Sequence, residues 1–288
     1  MKKLVVAIDF SEHTNITCSY ALEIAKINKA EIYLFHTFID NIISSTSSIP
    51  DTYGVNPYLN PEFYMEIEEN AKIQMFNLKK DMLLKLQAAD FPELPINTIL
   101  TKNDFETDLI NFCEDYHPSL VIIGTKGKGR TLNIFGNTAS NIINELRFPV
   151  LAVPEIEGFT GIKNIMYATD LHVSDDLLIR KTYNLLENFD VNIFSVHIVE
   201  KSEYFKAYKS MEELKLIYTK ERDEGKFYCD ILESNDKQDE IDEFIKSNSI
   251  DLIVFLSHKT NIFQRLFGYN NQIKYFFETN LPLLAIRL

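Results

Sequence analysis

SLVIIGTKGKGRTLNIFG, residues 119–136, and DLIVFLSHKTNIFQRLFG, residues 251–268, are one segment written twice at a constant offset of 132. In both, a short apolar run of the kind that forms a buried parallel strand gives way to a polar loop and then to a Phe-Gly pair. Only the first copy keeps its other glycines: Gly124, Gly127 and Gly129 correspond to Leu256, Lys259 and Asn261. A glycine-rich loop after a buried strand can present backbone N–H groups to phosphate, whereas a loop without glycines usually cannot. The chain therefore reads as a tandem duplication with one nucleotide-competent half and one degenerate half.

Outward from that segment the repeat continues. KKLVVAIDFS (residues 2–11) matches KNIMYATDLH (163–172) and sets Asp9 opposite Asp170 at an offset of 161. EIYLFHT (31–37) matches NIFSVHI (192–198) and sets His36 opposite His197 at the same offset. RFPVLAVP (147–154) matches NLPLLAIR (280–287) at an offset of 133. Matching segments in fixed order at near-constant spacing are the signature of duplication. The drop in offset gives the first copy about 29 extra residues between Thr37 and its third strand.

Each copy alternates strands and helices. Residues 4–8, 32–35, 95–100, 120–123 and 150–153 read as five strands of the first copy, with helices after Ser11, over 104–116 and over 137–146. Ser11 suits a helix N-cap, followed by Ile16, Tyr20, Ile24 and Ile27 at helical spacing. The fold class is α/β: two tandem, open, parallel five-stranded sheets with helices on both faces, Rossmann-like. The domains are 1–157 and 158–288, joined by the short EIEGFTG stretch at 155–161, so the halves are expected to pack together. In the insertion, residues 44–61 have loop composition, a mobile lid or a passive surface segment. Residues 62–89 read as a long helix with Met65, Ala71, Met75, Leu78 and Met82 near one stripe.

Composition narrows the function. The net charge of −13 argues against a nucleic-acid surface, which needs clustered Lys and Arg, and against anionic membranes. The three cysteines, Cys18, Cys113 and Cys229, form no CxxC pair and no disulfide framework, which fits a reducing compartment. The opening MKKLVVAIDFSE has too short an apolar run for a signal peptide, and no stretch approaches the ~18 apolar residues of a membrane span. The expected location is the cytoplasm.

In open parallel sheets ligands bind beyond the carboxyl ends of the strands, where strand order reverses. Asp9 ends the first strand, His36 and Thr37 the second, Gly124 the fourth. Asp9 can accept from a ribose hydroxyl or an adenine amino group, or it can fix the turn at Phe10 and Ser11; the two roles are compatible. The loop at 124–138 brings Lys126, Lys128 and Arg130 into an acidic protein, and Gly136, Asn137 and Thr138 open a helix whose free N–H groups favour an anion. Gly124, Gly129 and Thr131 also fit P-loop spacing, but Arg130 stands where the phosphate-binding Lys belongs and the loop follows the fourth strand rather than the first.

Together, VAIDFSE, His36, the loop IIGTKGKGR with its FGNT end, and the closing FPVLAVP resemble the universal stress protein family in its tandem-domain form, over nearly the whole chain. The resemblance implies a fold related to the adenine nucleotide alpha hydrolases. It also implies ATP or another adenine nucleotide as ligand, with Mg²⁺ as its companion ion. ATP-binding members carry G-x2-G-x9-G-[ST]; here Gly127 and Gly136 are separated by eight residues, and Asn137 replaces the hydroxyl residue, with Thr138 next. By position, Asp9 and Thr37 would face adenine and ribose, Ile123 and Gly124 would flank the nucleotide, Gly127 would approach the phosphates, and Gly136, Asn137 and Thr138 would hold their far end. In the second copy Leu256 and Lys259 would put side chains where phosphates lie. Family members pair through their last strands, so residues 150–153 and 283–286 are candidates for an internal pseudo-dimer contact, and a further homodimer is open.

No HxxxH, HExxH or GxSxG pattern is present, and the equivalent positions of His36 and His197 favour a structural role. These readings leave a regulatory stress-response module that binds nucleotide without significant catalysis and acts on an unknown protein partner. The alternative is an interaction protein in which both halves are structural. A slow ATPase is the least supported, for lack of a base poised beside a nucleophile.

Overall fold

A computed structural model describes residues 1–38, 61–125, 137–155, 158–172, 174–199, 204–233, 237–257 and 280–287. The strands are β1 (Lys3–Ala7), β2 (Glu31–Thr37), β3 (Ile96–Thr101), β4 (Leu120–Gly124) and β5 (Val150–Val153) in the first half, and β6 (Asn164–Ala168), β7 (Asn192–Val199), β8 (Phe227–Glu233), β9 (Leu252–Leu256) and β10 (Leu283–Ile286) in the second. The helices are α1 (His13–Asn28), α2 (Pro61–Ala88), α3 (Phe105–Tyr116), α4 (Asn137–Glu145), α5 (Asp175–Leu185), α6 (Tyr204–Ile217), α7 (Thr219–Asp223) and α8 (Lys237–Ser247).

The strands form one sheet in the order β3-β2-β1-β4-β5-β10-β9-β6-β7-β8. Each half is parallel internally, and the halves join through an antiparallel pair in which Leu283 faces Ala152, Leu284 faces Leu151 and Ala285 faces Val150. The pseudo-dimer contact is thus made by the two closing strands, and two five-stranded sheets become one of ten. Both strands read as continuous apolar runs because both faces are covered: all of VLAV and LLAI is buried.

Side chains cross the join as well. Arg287 Nη1 donates to the carbonyls of Asn144, Glu145 and Leu146 at 3.3, 2.6 and 3.4 Å, so the second half caps the carboxyl end of α4 in the first. Asn188 Nδ2 donates to Asn28 Oδ1 at 2.9 Å. The connection between halves lies on α1: Phe159 meets Tyr20 edge-on at 5.3 Å, and a Cβ on Gly158 would sit 3.2 Å from Ser19 Oγ. Gly161 has φ +114°, which a side chain would strain.

Some local expectations change. Ser11 is not the N-cap of α1; Glu12 holds that place without a side-chain cap, and the Ser11 hydroxyl donates to Asp9 instead. Ile27 lies 40% exposed, while Cys18, Ala21 and Ala25 complete the buried face. The α2 stripe holds for Ala71, Met75 and Met82, all buried, and continues to Leu86, but Met65 is 70% exposed. Asp104 caps α3 by accepting from the Thr107 N–H at 2.9 Å, which holds its carboxyl below the ordinary range. The loop part of the insertion at 44–60 lies outside the described residues. Among the described residues no helix is long and apolar enough to cross a membrane.

Candidate functional site

Strand order within the first half reverses between β1 and β4, the two strands that flank the start of the winding. The crevice beyond their carboxyl ends is where an open α/β sheet takes a ligand. Asp9 follows β1, Thr37 closes β2, and Ile123 and Gly124 close β4. Asn137 and Thr138 open α4, their side chains being outside the description, as are Gly127 and Gly136 and the basic residues 126, 128 and 130.

The turn after β1 is built around one carboxylate oxygen. Asp9 Oδ1 accepts from the Ser11 N–H at 3.0 Å, the Ser11 hydroxyl at 2.7 Å and the Thr14 hydroxyl at 3.0 Å. Phe10, at the apex, has φ 56° and lays its ring 4.4 Å from that of His36. His36 Nδ1 lies 2.7 Å from the Ile8 carbonyl, tying the end of β2 to the end of β1. The second half repeats this frame: Leu171 has φ 58°, and His197 Nδ1 lies 2.8 Å from the Thr169 carbonyl. The paired histidines are therefore strand-end ties. Thr37 is buried, and its hydroxyl shares a 2.8 Å hydrogen bond with that of Thr101 on β3.

Gly124 has a packing reason the sequence did not disclose. A Cβ there would lie 3.2 Å from His13 Nδ1 and Thr17 Oγ1 and 3.3 Å from His13 Cε1. The missing side chain lets α1 close on β4, with His13 buried and its Nε2 3.1 Å from the Pro154 carbonyl at the end of β5. In the second half Leu256 takes the place of Gly124, and Ser174 and Leu178 take those of His13 and Thr17. Leu256 is fully buried. Its side chain belongs to the apolar core.

The second half keeps Asp170 at the position of Asp9 and adds a second carboxylate. Asp175, at the position of Thr14, is buried and accepts from the Tyr167 hydroxyl at 3.0 Å, the His172 N–H at 2.9 Å and the Thr169 hydroxyl. Burial pushes its carboxyl above the ordinary value, the Thr169 hydrogen bond opposes this, and the charge of Asp170 adds to the rise. Tyr167 and Thr169 stand where the first half has Val6 and Ile8. This buried polar network closes the turn from beneath, and nothing in the spacing of those residue types announced it. His13, Thr14, Thr17 and Thr101 were likewise missed, because their roles come from neighbours distant in sequence.

The fold recurs in solved proteins. A universal stress protein from Archaeoglobus fulgidus DSM 4304 superposes with a TM-score of 0.71 at 11% identity, over 99% of this chain and 96% of that one. A putative universal stress protein from Pseudomonas aeruginosa UCBPP-PA14 has a TM-score of 0.63 at 13% identity, over 100% and 93% of the two chains. A protein of unknown function from Pseudomonas aeruginosa PAO1 gives 0.63 at 11%, over 100% and 92%. No curated protein sequence matches. The family model for the universal stress protein family matches twice, over residues 1–154 and 161–272, and the protein belongs to that family as a tandem of two such units.

Proposed function

We propose that the first half binds an adenine nucleotide, ATP foremost, in the crevice between β1 and β4. The bound state then governs contact with a protein partner during a stress response, without significant catalysis, in the cytoplasm. The observation that supports this reading is that Asp9 follows β1 and Ile123 and Gly124 close β4, the two strands between which strand order reverses, with Thr37 at the end of the neighbouring β2 and α4 next in the chain after β4. The residues fit the ligand. A carboxylate has about four acceptor positions, so Asp9 can take a ribose or adenine donor in addition to its turn contacts. Ile123 and Gly124 would flank the nucleoside. Gly127 would approach the phosphates, and Gly136, Asn137 and Thr138 would hold their far end; Mg²⁺ would enter with a triphosphate. The second half, which keeps Asp170 but lacks the loop glycines, would serve as the packing partner, on domains 1–157 and 158–288.

The second reading, an interaction protein without a nucleotide, is favoured by the fact that Asp9 and Gly124 both have structural work in the turn and the α1–β4 contact. Calorimetric titration of the full chain with ATP, ADP and AMP, with and without Mg²⁺, separates the two. One site per chain that Gly127→Val abolishes and Lys259→Ala leaves intact is the expected result. Equal affinity in wild type and Gly127→Val would remove the loop from the site, and no heat with any nucleotide would leave the interaction reading.

A further inference from the structure

The helix α2 overhangs the β3 edge of the sheet and leaves a groove of about 600 Å³ between them. Phe76, Leu83 and Leu84 from α2 and Leu100 from β3 line it, together with Lys79 and Lys80. The lining positions on α2 run from Lys72 to Gln87, about 22 Å at 1.5 Å per residue. Phe76 is 66% and Leu84 54% exposed, a concentration of uncovered apolar surface that a lone surface residue does not make. The corresponding crossover of the second half is built, among the described residues, from the shorter α6 and α7.

Charge indicates what would lie there. The protein carries −13 overall, yet no acidic residue among the described residues lines the groove. Lys72 is already paired with Glu68 at 2.6 Å, whereas Lys79 and Lys80 form no ion pair with any described residue. A second copy of the chain laid antiparallel on α2 would bring these lysines against their own equivalents, and like charges oppose that arrangement. A single acyl chain in one bilayer leaflet spans about 15 Å, less than the run of lining positions along α2, and Lys79 and Lys80 lie midway along that run. The volume of the groove falls within the range of small-molecule sites.

We propose that this groove binds a single-chain amphiphile with an anionic head group, the chain against Phe76, Leu83, Leu84 and Leu100 and the head at Lys79 and Lys80. The test titrates the full chain with sodium palmitate and with hexadecyl phosphate below their micellar concentrations, with hexadecanol and hexadecyltrimethylammonium as the neutral and cationic comparisons. One saturable site for either anionic probe is expected, the stronger of the two identifying a carboxylate or a phosphate head. Lys79→Glu with Lys80→Glu should weaken binding at least about tenfold, since each charge is reversed at an exposed ion pair. Phe76→Ser with Leu84→Ser should abolish it. Phe76, Lys80 and Leu84 are exposed and Lys79 is half-buried, so circular dichroism should remain that of the wild type. Several results would overturn the proposal: no saturable binding, equal binding of the cationic chain, or indifference to both double variants. So would binding of an acidic amphipathic peptide but of no anionic chain, or a dimer in sedimentation that the Phe76→Ser, Leu84→Ser variant dissociates.

Discussion

Gly124→Leu places in the first half the residue that the second half already carries, and the surrounding distances set its cost. A single Cβ would lie 3.2 Å from two polar atoms of α1, so a whole isobutyl group must displace the His13 ring or the helix. Overpacking of this kind costs about 3 kcal/mol. His13→Ser alone removes the contact with the Pro154 carbonyl and leaves a void, about 2 kcal/mol. If Gly124 with His13 and Leu256 with Ser174 are alternative fillings of one space, the double variant recovers the room the leucine needs. It should then be no less stable than Gly124→Leu alone, a coupling of about 2 kcal/mol against the ~0.5 kcal/mol scatter of independent sites. Urea unfolding of the four proteins at one pH measures this through the midpoints, with the slopes compared to show that the same surface is exposed. A double variant whose loss equals that of the two single variants within ~0.5 kcal/mol would refute the exchange. So would a Gly124→Leu protein that loses less than ~1 kcal/mol.

Asp175→Ala should cost about 2–4 kcal/mol in the same assay, because the buried hydroxyls of Tyr167 and Thr169 lose their acceptor; a loss below ~1 kcal/mol would mean the network is dispensable. The sign of its pH dependence follows from the raised carboxyl. The unfolded state binds fewer protons than the folded one between the two titrations, so this group favours folding at acid pH and that contribution is lost as pH rises through the folded value. Wild type should therefore gain on Asp175→Asn as pH falls from 7 towards 4, and a gain in the opposite direction would contradict the assignment. Residues 1–157 and 158–288 produced as separate chains should copurify, since each alone bares a wholly buried strand, β5 or β10, as a sheet edge. Two stable monomers that ignore each other would count against a structural join.

The strands and their order of appearance were legible because a strand covered on both faces must be an apolar run, and duplication supplied a second sample of each. The closing-strand pair was readable only through the family resemblance; residues 150–153 by themselves do not state a partner. Periodicity placed α2 but overextended its buried stripe to Met65, since helical spacing cannot tell where the sheet beneath the helix ends. Asp9 and Thr37 could be named because they stand at strand ends in line with a motif. Their contacts with Thr14 and Thr101 could not, because hydroxyls are common and the spacings of 5 and 64 residues mark nothing. Gly124 shows the difficulty most plainly: the same absent side chain serves a ligand loop in one reading and helix closure in the other, and only the position of His13 reveals the second.

Arg287 carries a consequence for how freely the two halves can be exchanged. Its guanidinium closes the carboxyl end of α4, and the other end of that helix is the one proposed to meet phosphate. A positive charge at that end also suits the helix dipole. The duplication is therefore not modular: a chimera that grafts on a foreign second unit without this arginine would leave three carbonyls of the first unit uncapped, and the defect would surface along α4 rather than at the graft itself.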